Sequence, residues 1–448
     1  MKEDSSSAMM TNAPIKIPMP VKLIHPSIDF KFKGMILGFK IPIYTKEGIV
    51  DSTFYIVRDG NKCSCEENVE QITLNNIPYI INKLFELPSS NEPRWHIPLM
   101  EKFINDPKEP PNDFFESIKD TAKRYIYFQK EEHYNLYIIW IIGTYFYPIF
   151  QAYPYLFISG TKDSGKSTVM EFGESLALNG QKVTTITQAA MGKNISTQRC
   201  TLFLDQTERI DLKLIAILAD SYKKTGGKRM VSQGNSTQEF DTFCPKVFGG
   251  FKELPYDLAD RCIRFNMLKS RKQLNAFMGI NDSLREHRHQ IYSFLMMKSD
   301  EVKDVYESLE SDSSRKGELW KPLHAIAQVL GLPKQKIDKL KLIFDECLSQ
   351  SGQSITFEEE ILLRVLYEKA NNELKSIFIL KTSDITTLMK NYDSDIKAVT
   401  PQWLGIRISL FDLAENKRKT GRSKLKSYTF DVNKVKDITF TYLSNVGL

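Results

Sequence analysis

The sequence has no apolar run long enough to cross a bilayer and no cysteine pattern that would hold a metal. Its most apolar stretch, Tyr137 to Phe150, contains Gly143, Thr144 and Pro148. It falls well short of the roughly 20 residues a membrane span needs, so a buried core helix is expected there. Of the six cysteines (Cys63, Cys65, Cys200, Cys244, Cys262, Cys347), only Cys63-Ser-Cys65 are close together. That pair has no second half at zinc-finger spacing, so no metal site is expected from it. Free thiols in a chain of this size point to a reducing, cytoplasmic compartment. Met1 to Pro14 is polar and serine-rich without an apolar core, which predicts a disordered segment and no signal peptide. A strong charge of either sign is also lacking. With 61 Lys and Arg against 55 Asp and Glu, the net charge is +6. That is a weak hint of a polyanionic partner, and a solvated surface explains it equally well, so the position of the charges matters more than their sum. There is no internal repeat and no low-complexity tract.

What is present is a globular chain of 448 residues, 42% hydrophobic and 26% charged, too long for one ordinary core. Val21 to about Cys63 alternates in short apolar runs separated by glycine turns, which predicts a β-rich N-terminal domain over 15–111. Residues 68–106 mix short helices with proline-containing loops, and Asp106 to Pro111 reads as a linker. From 112 to 350 the pattern becomes helical and then alternates. Strands are expected at Tyr155–Ser159, Lys182–Ile186, Cys200–Leu204, Lys246–Gly250 and Cys262–Met267, with helices between them. That alternation is the pattern of a parallel α/β sheet. Residues 270–350 are expected to be helical throughout.

The clearest motif is Gly160-Thr161-Lys162-Asp163-Ser164-Gly165-Lys166-Ser167, followed by Thr168, between a buried strand and a helix. Glycines let backbone N–H groups surround a phosphate while the helix offers its positive end. Lys166 supplies a charge for the β- and γ-phosphates of ATP, and Ser167 a hydroxyl for Mg²⁺. The plain alternative, a surface turn, does not account for the strand-to-helix setting. A second acid for Mg²⁺ is expected, and the apolar strand Thr201-Leu-Phe-Leu-Asp205 supplies one. Hydrolysing sites usually place a glutamate next; here stands Gln206, with Glu208 two positions on. Glutamine can hold a water but cannot take its proton. Three readings are open: Glu208 takes the role, the protein is a slow ATP-gated switch, or Gln206 is a replacement that traps the ATP-bound state. Arg261, just before the last core strand, is placed to act across a subunit interface on transition-state charge. Its plain alternative is a surface ion pair with Asp260.

Two basic segments suggest DNA. Lys223 to Phe240 reads as a hairpin about a Gln-Gly-Asn-Ser turn, with Lys228 and Arg229 available to backbone phosphates; the alternative is a solvated loop. In 355–448, helices near Phe357–Ala370, Ser383–Lys390 and Thr400–Phe411 precede a basic stretch containing Lys417, Arg418, Lys419 and Arg422, then a strand. Ser383 and Thr400 stand at N-cap positions. Three helices and a basic wing read as a winged-helix domain, with Gln402 and Arg407 exposed on the third helix. A charge run alone is more often a solvated turn.

On these residues, Ile118 to Leu448 resembles AAA+ ATPases of the MCM-like type, especially the helicase portion of replication proteins carried by plasmids, phages and staphylococcal cassette elements. Leu254-Pro-Tyr-Asp-Leu-Ala-Asp-Arg261 is similar to that family's Leu-Pro-x-x-Leu-x-x-Arg segment, which implies Arg261 as its arginine finger. Arg315 to Ala327 is similar to its lid segment, which implies Arg315 as a sensor-2 arginine. Two departures stand out: Gln206 replaces the family's glutamate, and Lys246–Gly250 ends without a polar sensor-1 residue. The resemblance implies an α/β P-loop ATPase core with a helical lid, an N-terminal β-rich domain and a C-terminal winged-helix domain. It further implies a hexameric ring that uses ATP and Mg²⁺ to move along DNA as a helicase during replication of a mobile element. No primase signature is visible, so priming would come from another chain. The alternative is an ATP-gated DNA-binding initiator or loader that does not unwind.

Overall fold

The computed structural model describes residues 21–90, 93–160, 163–207, 212–233, 236–250, 254–270, 273–310, 312–352, 357–392, 399–411, 413–419 and 426–443. The chain divides into two units after Ser351.

The first unit opens with β1 (Leu23–Ile24), β2 (Ile28–Lys31), β3 (Gly34–Thr45), β4 (Gly48–Asp59), β5 (Lys62–Glu67), β6 (Gln71–Leu74) and β7 (Ile77–Ile81). They form an antiparallel sheet β2-β3-β4-β5 and a small sheet β1-β7-β6. Alternation along β6 buries Ile72 and Leu74 and turns Gln71 and Thr73 outward, the period-two pattern of a half-buried strand. Ile28, Met35, Leu37 and Ile56 of these strands belong to the same buried cluster as the parallel sheet that follows. Of the short helices expected over 68–106, the described residues form α1 (Ile97–Asn105) alone; β6 and β7 occupy the earlier part.

Helices α2 (Phe114–Tyr125) and α3 (Glu131–Gly143) lead into the sheet. Ten residues of α3 are buried. A helix that is apolar all round belongs in a core, which accounts for the strongest apolar run in the sequence. No helix among the described residues is long and apolar enough to cross a membrane. The tyrosines and tryptophan packed here each donate to a backbone carbonyl: Tyr137 to Val169 at 2.6 Å, Trp140 to Pro154 at 2.7 Å, Tyr145 to Leu176 at 2.8 Å and Tyr153 to Trp140 at 2.7 Å. Buried hydroxyls without such partners would be costly.

The central sheet comprises β8 (Tyr155–Gly160), β9 (Gly180–Val183), β10 (Thr201–Asp205), β13 (Lys246–Gly250) and β14 (Cys262–Met267). Between them lie α4 (Lys166–Leu176), α5 (Gln188–Gln198), α6 (Leu212–Asp220), the hairpin β11 (Lys228–Gln233) and β12 (Ser236–Asp241), and α7 (Tyr256–Ala259). The order is β14-β8-β13-β10-β9, with every neighbouring pair parallel. Thus the chain is mixed α/β around a parallel sheet. β9 begins two residues before the expected Lys182. Helices α8 (Asp282–Ser308), α9 (Arg315–Val329) and α10 (Lys334–Gly352) follow. The expectation of helix throughout 270–350 fails at its start, where Asn281 accepts from the Leu284 N–H and caps α8.

The second unit comprises α11 (Phe357–Asn371), β15 (Ile377–Lys381), α12 (Thr382–Tyr392), α13 (Pro401–Leu410), β16 (Ala414–Lys419), β17 (Lys426–Asp431) and α14 (Val432–Leu443). Its antiparallel sheet runs β15-β17-β16. It has its own core, including Leu362, Leu366, Phe378, Ile385, Leu404 and Phe430. Thr400 caps α13 by accepting from the Trp403 N–H at 3.1 Å. Ser383 is not a cap: α12 begins one residue earlier, at Thr382, because β15 runs directly into the helix.

Candidate functional site

β8 is buried along its length and delivers Gly160 at its C-terminal end. Gly160 has φ +151°, and a Cβ there would lie 2.6 Å from the Met267 carbonyl oxygen and 2.7 Å from Ser164 Oγ. Only glycine fits such an approach without strain. Asp163 (φ 62°) and Gly165 (φ 88°) complete the turn, and Gly165 caps the N-terminus of α4. Lys166 Nζ donates back across the loop to the Gly160 carbonyl at 2.8 Å. Ser167 is exposed, Thr168 is half-buried and Ser164 is buried. Ser164 Oγ has no hydrogen-bond partner among the described residues. Thr161 and Lys162 lie outside the described residues.

Asp205 ends β10, two strands from β8. Asp205 pairs in register with Gly249 of β13, which pairs in turn with Ile158 of β8. A Cβ on Gly249 would collide with Met170 Sδ of α4 and lie 3.4 Å from Asp205 Oδ1, so the helix, the strand and the carboxylate close up at a glycine. The glycine loop and Asp205 therefore share the C-terminal edge of the sheet, the edge where open parallel sheets bind ligands. Gln206 is exposed, adopts φ 59° and donates its backbone N–H to Asp205 Oδ1 at 2.9 Å. Glu208 lies outside the described residues. Lys182 of β9 reaches the same carboxylate at 3.6 Å and Glu171 of α4 at 3.1 Å.

Arg261 and Arg315 meet on one carboxylate, since both form ion pairs with Asp260. Arg261 also donates to the Asp257 carbonyl and lies over the Tyr222 ring at 5.1 Å. Its side chain is only 11% exposed. The side chain is therefore engaged within its own chain. The ion pair with Asp260 is formed, and it lies largely beneath the surface because α7 and Tyr222 cover the guanidinium. Arg315 is the more open of the two, at 42%.

The hairpin pairs Lys228 with Asp241, Arg229 with Phe240 and Gln233 with Ser236. Lys228 Nζ forms an exposed ion pair with Glu239 at 2.6 Å. At the hairpin base, Ser196 of α5 donates its hydroxyl to the Asp241 carbonyl at 3.1 Å and accepts the Asp241 N–H at 2.6 Å. Burial raises the Asp241 carboxyl above its usual range, and lowers Lys224 to about 8. Lys246, fully buried at the start of β13, donates to the Thr242 and Cys244 carbonyls at 2.9 and 3.1 Å; burial pulls its ammonium down as well.

In the second unit Gln402 is exposed on α13. Arg407 departs from the expected free position: it is ion-paired with Glu359 of α11 and lies 5.6 Å from the Trp403 ring centroid. The reason is packing, because α11 places a nearly buried carboxylate against that face of α13. Lys417, Arg418 and Lys419 fall in β16, and Arg422 lies outside the described residues. Sequence reading had no signal for Lys182 as a site residue, nor for Arg315 joining Arg261 on Asp260, because what singles them out is their partners on other elements. Among the described residues no three His, Cys, Asp or Glu side chains cluster as metal ligands would.

No family model matches the chain, and no curated protein matches it. Among solved structures it is similar to two apo structures of the NrS-1 C-terminal region. The first is 12% identical, with 88% of this chain and 96% of that one covered at a TM-score of 0.36. The second is 14% identical, with 84% and 94% covered at 0.33. Likeness of that degree carries no argument about function.

Proposed function

We propose that this chain is an AAA+ type P-loop ATPase that works on DNA as a ring-forming helicase or translocase during replication of a mobile element. The observation that carries the reading is the convergence of the Gly160–Ser167 loop, the α4 N-terminus and Asp205 on one edge of a parallel sheet. The residues fit a bound nucleotide. The left-handed turn at Asp163 and Gly165 leads into an 11-residue helix whose positive end suits phosphate. Ser164 Oγ is buried without a partner, as a group awaiting one would be. Lys166 would hold the β- and γ-phosphates of ATP, while Ser167 and Asp205 would hold Mg²⁺. The metal, when bound, would neutralise charge developing on the transferred phosphoryl group. Arg261 would reach a neighbouring subunit's nucleotide only after leaving Asp260. The β11–β12 hairpin, between the Asp205 strand and β13, would meet the DNA backbone through Lys228 and Arg229 in sequence-independent contacts. The second unit, in which helices α11, α12 and α13 precede a β16–β17 wing and α14, would add a winged-helix DNA contact through Gln402 and the wing bases.

One observation favours the alternative, an ATP-gated DNA-binding initiator or loader that does not unwind. Gln206 follows Asp205 with its backbone N–H bonded to that carboxylate, and its amide cannot accept a proton from water. Steady-state ATP hydrolysis with and without single-stranded DNA, in this chain and its Gln206→Glu variant, decides between them. DNA-accelerated turnover in the glutamate form supports the motor. Absence of turnover in both forms, with ATP-strengthened DNA binding, leaves the switch.

A further inference from the structure

Lys182 stands on β9, the edge strand beside β10, and is fastened to α4 twice. Its backbone N–H donates to Glu174 Oε1 at 3.0 Å, and its ammonium donates to Glu171 Oε1 at 3.1 Å. The same ammonium lies 3.6 Å from Asp205 Oδ2. Glu171 follows Ser167 by one helical turn, so the hydroxyl and the carboxylate share a face of α4. One ammonium thus stands between two carboxylates. Their side chains are partly open to water, Asp205 at 29% and Glu171 at 42%.

Resting on the ATPase reading above, we propose that Lys182 is the resting counter-charge of Asp205, the acid that would hold Mg²⁺. Before metal and nucleotide arrive, its charge keeps the Asp205 and Glu171 carboxylates from repelling one another. Like charges left facing each other without a cation repel. A divalent ion carries twice the charge of an ammonium and is suited to oxygen ligands. It therefore displaces Lys182 from Asp205, and the flexible four-carbon stem lets the ammonium stay with Glu171. Lys182 in this way sets how strongly the empty site takes up a divalent cation, and its release from Asp205 marks loading.

The test is Mn²⁺ binding to the full chain without nucleotide, followed by electron paramagnetic resonance. Lys182→Met is expected to bind Mn²⁺ about tenfold more tightly than the unaltered chain, the scale for one screened like charge removed at this distance. Lys182→Arg should bind as the unaltered chain does, and Lys182→Met combined with Asp205→Asn should lose the gain. If Lys182→Met proves unfolded by circular dichroism, Lys182→Gln takes its place. Equal or weaker Mn²⁺ binding in the uncharged variant overturns the proposal, as does a gain that survives Asp205→Asn. Binding of a fluorescent ATP analogue is measured alongside. Its failure in the unaltered chain would sink the ATPase reading, while the Mn²⁺ titration tests Lys182 independently of it.

Discussion

His25 donates from Nε2 to the Ser196 carbonyl oxygen across 2.7 Å, joining the first strands of the chain to the end of α5. The tautomer follows from the other ring nitrogen, Nδ1, which accepts the Ser27 N–H at 3.1 Å. Around this contact Ser27 Oγ donates to the Gln198 carbonyl at 2.6 Å, and Arg199 forms an ion pair with Asp29 at 3.4 Å. Ser196 is therefore held by its carbonyl on one side and holds Asp241 by its hydroxyl on the other.

Replacing Ser196 by alanine keeps the carbonyl and removes the hydroxyl. The Asp241 N–H then loses a buried partner, at about 1–2 kcal/mol. Amides of β11 and β12 should exchange with deuterium faster in Ser196→Ala, while those of β8 stay protected. Unchanged hairpin exchange would show that the serine does not anchor the hairpin.

Burial, aided by the Arg199 charge, lowers the His25 imidazole from its ordinary 6.5 to about 3. In the fold it stays neutral where the unfolded chain takes up a proton. Between about pH 6.5 and 3 the unfolded state binds one proton more, so stability falls as pH falls. The slope from this residue is about 1.4 kcal/mol per pH unit. Denaturant titrations at pH 6.5 and 5 should show the loss, and His25→Gln should reduce it by about that slope. An identical slope in the variant would remove His25 as its source.

Asp260 is the counter-charge for a nearly buried Arg261 and for Arg315. Asp260→Ala should destabilise the chain by about 3 kcal/mol, the scale for leaving a buried charge unpaired. Adding Arg261→Ala should restore part of that loss, because the stranded guanidinium is gone. Strictly additive losses in a double-mutant cycle would mean the two side chains are not coupled.

Gly160→Ala puts a methyl group against the Met267 carbonyl at a backbone angle that side chains rarely adopt. A loss of about 1–3 kcal/mol in stability is expected, with ATP-analogue binding weakened at least tenfold. Full binding in Gly160→Ala would show that the loop is not the nucleotide cradle.

Much of the central sheet was legible because its signals are local. The run Tyr155 to Ile158 is apolar or aromatic, and Ser159 leads it into a glycine-rich turn before a helix, so strand, turn and helix each follow from neighbours in sequence. The hairpin about Gln233 and Ser236 was legible for the same reason. β15 was not: Ile377, Phe378, Ile379 and Leu380 are all apolar, which hides the alternation that buries only Phe378 and Leu380. β16 was missed for the opposite reason. Ala-Glu-Asn-Lys-Arg-Lys has little strand propensity, and it extends because it pairs with β17.

The sequence by itself determined where a phosphate-binding turn could form and which strand carries an acid, since both depend on residue type and short-range backbone geometry. Only the tertiary structure decided what those residues touch. Strand order set Asp205 two strands from Gly160 and brought Lys182 to it. The packing of α7 and α9 brought Arg261 and Arg315 onto Asp260, and α11 took up Arg407. Apart from Arg261 and its neighbour Asp260, these pairings join residues distant along the chain, and their energies depend on distance and burial, quantities that exist only once the chain has folded.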